Sequence, residues 1–146
     1  LRFTSRGSNS PWKFEHVYTG ALVNGFRQGH GLNVISDGVS YEGDWKNGKE
    51  NGRGVFVYGP YFKYEGEWRD GKMSGQGILW NHAKKIKYKG EFKDNKPHGQ
   101  SVIVFANGDR CEGDWRVGRL QGTGSTWVKG HKKQCYIKNN SMMLKD

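Results

Sequence analysis

The stretch Tyr41-Glu42-Gly43-Asp44-Trp45-Lys46-Asn47-Gly48, followed three residues later by Gly52-Arg53-Gly54, decides how this chain folds. Tyr41, Gly43 and Trp45 alternate with Glu42, Asp44 and Lys46, and a period of two marks a β-strand with one buried face. The pattern returns as Tyr64-Glu65-Gly66-Glu67-Trp68-Arg69-Asp70-Gly71, with Gly75-Gln76-Gly77 behind it. Tyr18 and Tyr88 open two further copies, and Cys111 stands at the same place in a fifth. The intervals are 23, 23, 24 and 23 residues, and eighteen of the 23 glycines fall on phased positions. Such regularity marks an array of one small unit.

Each unit carries a second apolar stretch. Its first site holds Leu32, Val55, Ile78 and Val102, and fails at Ser125. The next site on the same face holds Val34, Val57, Trp80, Val104 and Trp127. Both sites are expected to join the aromatic core. Gly48 to Gly52 and their equivalents predict a hairpin turn of three to five residues. Asp37-Gly38 and Asn107-Gly108 predict turns between units. The glycine between the two aromatics predicts a close approach of a ring to the backbone. Each unit is therefore expected to be one β-hairpin.

An array of this kind resembles MORN repeats. Five units cover residues 18–128, divided as 18–40, 41–63, 64–87, 88–110 and 111–128. Leu22 replaces the second aromatic in unit one, Asn95 and Ser101 replace glycines in unit four, and Cys111 opens unit five. The predicted fold is all-β, an elongated curved single sheet of stacked β-hairpins. Residues 1–17 are expected to be a partial repeat or cap, with Trp12, Phe14 and Val17 as the second strand of a preceding unit. Residues 129–146 are expected to form a C-terminal cap or degenerate repeat that is partly flexible. A lone hairpin is marginal in water. Burying a Tyr or Trp removes ~150–250 Å² from solvent, contributing up to ~4–6 kcal/mol against ~1–2 kcal/mol for each residue ordered. Stacking neighbours is what allows both rings of a unit to be buried.

Composition sets the same problem from the other side. Leu, Ile, Val and Phe make up only 28 of 146 residues, and the net charge is +10, a combination typical of disorder. The 20 aromatic residues argue for folding, because disordered chains are poor in them. No run of 18 apolar residues is present, so no spanning helix is expected. The chain opens with Leu1 and shows no signal-peptide pattern, which reads as a segment of a longer protein. Two cysteines, Cys111 and Cys135, make no disulfide framework, and a reducing, intracellular compartment is the expectation. They lie 24 residues apart at near-equivalent repeat positions, so they could face one another across adjacent hairpins; a small apolar core role for each is the default.

No catalytic constellation emerges. The carboxylate pairs Glu42/Asp44, Glu65/Glu67 and Glu112/Asp114 repeat in phase, with Glu91 as a half-copy, whereas a catalytic pair should be singular. They read as acidic stripes on a solvated outward face, offset by Lys46, Arg69, Lys93 and Arg116. His16, His30, His82, His98 and His131 show no metal-ligand spacing, and no phosphate-binding Gly-rich loop is present. Neither a metal, a cofactor nor an enzyme activity is predicted.

Binding is the expected role. The leading expectation is a scaffold module that takes a partner helix or extended peptide, or a second copy of itself, in a concave groove. Exposed edges of Tyr41, Trp45, Tyr64, Trp68, Tyr88, Phe92 and Trp115 would line that groove. The competing expectation is a phosphoinositide or anionic membrane, met by a basic edge of Lys63, Lys84, Lys85, Lys87, Arg110, Lys132 and Lys133. About half the weight on that edge belongs to simple protection against sheet-to-sheet aggregation. At ~1 kcal/mol for each cation near an anionic leaflet, such an edge binds weakly without a second anchor. Nucleic acid ranks third, because stacking on bases needs free aromatics. The MORN resemblance implies scaffold, dimerisation or membrane-proximal modules in cytoskeletal, ciliary and trafficking proteins. It also implies a third option, the regulatory segment of a larger lipid kinase or methyltransferase. A cytoplasmic site, cytoskeleton- or membrane-associated, and a homodimer are the accompanying expectations.

Overall fold

A computed structural model describes residues 2–6 and 15–146. Every regular element among them is a strand: β1 (Arg2–Arg6), β2 (Glu15–Val23), β3 (Phe26–Ser36), β4 (Val39–Lys46), β5 (Lys49–Tyr58), β6 (Phe62–Arg69) and β7 (Lys72–Asn81). The series continues with β8 (Ile86–Lys93), β9 (Lys96–Phe105), β10 (Arg110–Arg116), β11 (Arg119–Leu120), β12 (Gly124–Val128), β13 (His131–Lys138) and β14 (Ser141–Leu144). They form one open antiparallel sheet in chain order, with short β11 pairing only to β10. The expected single sheet of stacked hairpins is what the chain builds.

Local chemistry explains each hairpin. Asn47 and Gly48 both take positive φ (51° and 82°), as a two-residue type I′ turn requires. Asp70-Gly71 and Asn24-Gly25 do the same. The turn is thus two residues long, and the longer Gly48–Gly52 turn expected from sequence is not formed. Gly52 serves a different purpose. Gly43 pairs with Gly54 and Trp45 with Glu50, so Asp44 alone faces Asn51, Gly52 and Arg53. This bulge bends β5 at Gly52, whose φ is 96°. Equivalent register shifts follow Gly20, Gly66 and Gly90.

Successive turns also hold one another. The Gly48 amide donates to the Arg27 carbonyl, and the Gly71 amide to the Glu50 carbonyl. Side-chain carbonyls of Gln28 and Asn51 accept from the amides of Asn47 and Asp70.

At the start of the array, β1 pairs with β2, from Arg2 opposite Thr19 to Arg6 opposite Glu15. The strand preceding unit one is therefore Arg2–Arg6, and Val17 belongs to β2 beside Tyr18. Trp12 and Phe14 lie outside the described residues. At the other end, β13 and β14 form a further hairpin over residues 131–144.

Candidate functional site

Two faces of the sheet have different chemistry, and the glycine register separates them. Gly20, Gly31, Gly43, Gly54, Gly66, Gly77 and Gly90 pair across successive strands in one unbroken row. Residues opposite one another share a face, so all these glycines present their missing Cβ on the same side. The tyrosine rings occupy that space. A Cβ on Gly31 would lie 2.5 Å from the Tyr18 hydroxyl oxygen, and Gly54 and Gly77 stand in the same relation to Tyr41 and Tyr64.

The rings continue from unit to unit. Tyr18 meets Trp45 edge-to-face at 5.7 Å, Trp45 meets Tyr41 at 5.0 Å, and Tyr41 meets Trp68 at 5.1 Å. Trp68 then meets Tyr64 at 5.2 Å, and Tyr64 meets Phe92 at 5.1 Å. These are favoured aromatic geometries. Polar tips are satisfied by backbone. The Tyr41 hydroxyl donates to the Asp44 carbonyl at 2.9 Å. Trp45 and Trp68 Nε1 donate to the carbonyls of Gly31 and Gly54 at 3.0 and 3.1 Å. Burial pushes the Tyr41 and Tyr64 hydroxyls far above the usual phenol range, with nearby Glu50 and Glu67 adding to the effect. A second core follows around Ile86, Ile103, Phe105 and Trp115, and Tyr88 packs against both.

This ladder corrects the expected groove. Tyr41, Trp45, Tyr64, Trp68, Phe92 and Trp115 are all buried, and only Tyr88 is half-buried. Their edges point into neighbouring units because each ring is the packing partner of the next. What the aromatic face offers instead are two hollows beside the ladder. One, about 400 Å³, is lined by Phe56, Tyr58, Phe62, Tyr64, Met73, Leu79 and Asn95. The other, about 440 Å³, lies among Tyr88, Trp115, Leu120, Tyr136 and Ile137. Phe56 and Leu79 sit one residue beyond the second-strand positions singled out from sequence. Their signal was the two-residue alternation from Gly54 and Gly77.

Those second-strand residues lie on the opposite face. Val55 pairs with Glu42 and Glu65, and Ile78 with Glu65 and Lys89. They are half-buried among charges and add nothing to the aromatic core. The expected acidic stripes also lie here, and one has a structural role. Asp44 accepts from the Arg53 amide at 3.0 Å, and Glu91 from the Gln100 amide at 3.2 Å. Glu67 does the same for Gln76. Each carboxylate satisfies an amide at the bulge, which explains its repetition.

The expected basic edge divides. Lys63, Lys87, Arg110 and Lys132 form a row across this second face. Lys84 and Lys85 lie in the connection at 82–85, and Lys133, paired with Thr126, points to the aromatic side. Cys111 and Cys135 are not free thiols in an apolar core. They form a fully buried disulfide from β10 to β13, across Gly124 of β12. The expectation of a reducing compartment rested on unpaired cysteines, and the bond removes that ground.

A family model for the MORN repeat matches residues 18–38, 41–60, 64–81 and 88–110, together more than half of the chain. No curated protein matches it significantly.

Proposed function

This chain belongs to the MORN-repeat family, and on that footing we propose that it is a binding module taking a partner helix or extended peptide on its aromatic face. Its all-β repeat is of a non-catalytic type, and such repeats generally serve protein or membrane interactions. The observation that carries the proposal is the hollow beside Tyr64. Its walls are apolar, and Tyr58 and Phe62 on its rim remain 48% and 38% exposed. The buried ladder beneath holds this surface rigid, so ordering it on binding costs little. Aromatic anchors around a preformed pocket are the usual composition of an interface centre.

Amphipathic helical peptides selected from a display library against the oxidised protein test the proposal. Phe62→Asp is expected to weaken the selected binders at least about tenfold, with Val57→Asp on the opposite face as control. Equal affinity for both variants would remove the hollow as the docking site. Light scattering at several concentrations distinguishes a second copy of the chain as the occupant.

A further inference from the structure

The second face carries a feature that peptide binding leaves unused. Across the strands, Lys63 lies opposite Trp80, Trp80 opposite Lys87, Lys87 opposite Val104, and Val104 opposite Arg110. One strand further, Trp127 lies opposite Lys132. A cation therefore occurs on every second strand, and Lys63, Lys87 and Arg110 stand at intervals of ~10 Å with Trp80 and Val104 between them. Beyond Arg110 the spacing changes, because the disulfide draws β10 and β13 together to a Cα separation of 6.1 Å, so Trp127 and Lys132 close the end of the row. Lys63 Nζ rests 5.1 Å from the centroid of the Trp80 ring, which holds the ammonium on the row. Arg110 reaches Glu112 at 3.9 Å, an exposed and weak pair. Among the described residues, Lys63, Lys87 and Lys132 make no ion pair. Trp127 is half exposed, leaving a ring free to stack.

What lies beside the row limits what can bind it. Glu65 and Glu112 sit two residues along from Lys63 and Arg110, ~7 Å away, and Glu67 and Asp114 lie beyond them. A flat anionic surface would cover cations and carboxylates together. A single polymer chain can lie along the cations alone. The buried disulfide narrows the choice again, since such bonds persist in oxidising compartments. Extracellular and envelope polymers are found there; cytosolic phosphoinositides and nucleic acids are not.

We propose that this row is a binding track for an acidic polysaccharide bearing one carboxylate or sulfate on every second sugar. A pyranose unit advances such a chain by about the ~4.8 Å that separates two strands. Two sugars therefore match two strands, so successive anions meet Lys63, Lys87 and Arg110 in register, and Lys132 lies at the end of the track. The intervening sugars present their C–H faces to Trp80 and Trp127, whose ring faces are electron-rich, and to the aliphatic side chain of Val104.

The test is calorimetric titration of the intact oxidised protein with hyaluronan fragments of four, six, eight and ten sugars. Affinity is expected to rise with each added disaccharide up to about six sugars, one disaccharide for each of Lys63, Lys87 and Arg110, and to fall with salt. Lys63→Glu/Lys87→Glu should weaken the eight-sugar fragment at least about tenfold, and Trp127→Ala about threefold. Lys46→Glu/Lys93→Glu makes the same charge change away from the row and should change affinity less than about twofold. Circular dichroism confirms the fold of each variant. Three results would overturn the proposal: no binding to any fragment, equal loss in both charge-reversed pairs, or tighter binding to phosphatidylserine vesicles or single-stranded oligothymidylate than to the eight-sugar fragment.

Discussion

Replacing Gly54 by alanine isolates the contact that organises the aromatic face. Its φ is not in the left-handed region, so the backbone accepts alanine without strain. On conformational entropy alone, the change would stabilise the chain by ~0.4–1 kcal/mol. The obstacle is the Tyr41 ring: the new Cβ would lie 2.5 Å from Cε2 and closer still to Cζ and the hydroxyl oxygen. Ordinary carbon contacts are ~3.5–4.0 Å, so the ring must withdraw by more than ~1 Å. It cannot do so freely, because Trp45 and Trp68 hold it at 5.0 and 5.1 Å and its hydroxyl is bonded to the Asp44 carbonyl. Overpacking costs ~1–3 kcal/mol, and the lost hydrogen bond adds ~1 kcal/mol. Gly54→Ala should therefore destabilise the protein by ~1–3.5 kcal/mol net.

Tyr41→Leu alone should cost ~3 kcal/mol while vacating the space that the new methyl needs. The double variant is then expected to be about as stable as Tyr41→Leu, a coupling of ~1–3.5 kcal/mol. Urea unfolding followed by tryptophan fluorescence measures all three. Gly108→Ala serves as control: its φ is 89° and no atom lies within 4 Å of the added Cβ, so ~1 kcal/mol of backbone strain is all it should show. Additive effects of the Gly54 and Tyr41 changes, within ~0.5 kcal/mol, would refute the view that the glycine exists to seat the ring.

Other consequences are measurable on the same material. Reducing the Cys111–Cys135 bond, which closes a loop over a separation of 24 residues, should lower stability by ~3–4 kcal/mol on the loop-closure scale, read as a fall in melting temperature with and without phosphine reductant. Asn33 is buried between Tyr18 and Tyr41 with Oδ1 unpaired, at the position where unit three has Leu79. Asn33→Leu should therefore stabilise by ~1–2 kcal/mol in urea titration. Burial raises the Tyr41 and Tyr64 pKa values in the folded state, so their contribution is complete below the unfolded phenol value near ~10 and is lost as pH rises above it. Stability should fall by up to ~2.7 kcal/mol per pH unit there, read as a falling urea midpoint across a pH series.

Much of the fold is legible in the repeat itself. Tyr41, Gly43 and Trp45 announce their common face by alternation, whereas the reversal falls at Asn47-Gly48 and not over the Gly48–Gly52 stretch that the glycine spacing suggests. What alternation cannot reveal is how the two strands of a hairpin are phased against each other. The two-residue turn pairs Trp45 with Glu50, and the bulge at Asp44 keeps that parity while setting Gly54 opposite Gly43, so Phe56 faces the aromatic rings and Val55 does not. Counting along the chain, Val55 and Val57 look like core; in register they are the apolar interludes of a charged face. The basic edge is legible from the shared repeat offset of Lys63, Lys87, Arg110 and Lys132, but only the register shows that these four share a face while Lys133 does not. The groove failed for a related reason. An aromatic that packs against the next unit and one that awaits a partner have the same sequence pattern, and only their burial separates them. The disulfide joins residues two strands apart, a distance that repeat position alone does not bring within bonding range.

The handover between units has an evolutionary side. Trp45, Trp68 and Trp115 each bond a backbone carbonyl fourteen residues upstream, on Gly31, Gly54 and Ser101, and the turns at Gly48, Gly71 and Gly118 dock on their predecessors by the same amide. Every junction in the regular part of the array is consequently interchangeable. A duplication or deletion of one whole unit would restore all of these contacts, while the gain of a single residue within a strand would break them. The one tolerated extra residue sits in the connection at 82–85, outside the ladder. Such a chain evolves its reach in steps of one hairpin, lengthening both its faces together.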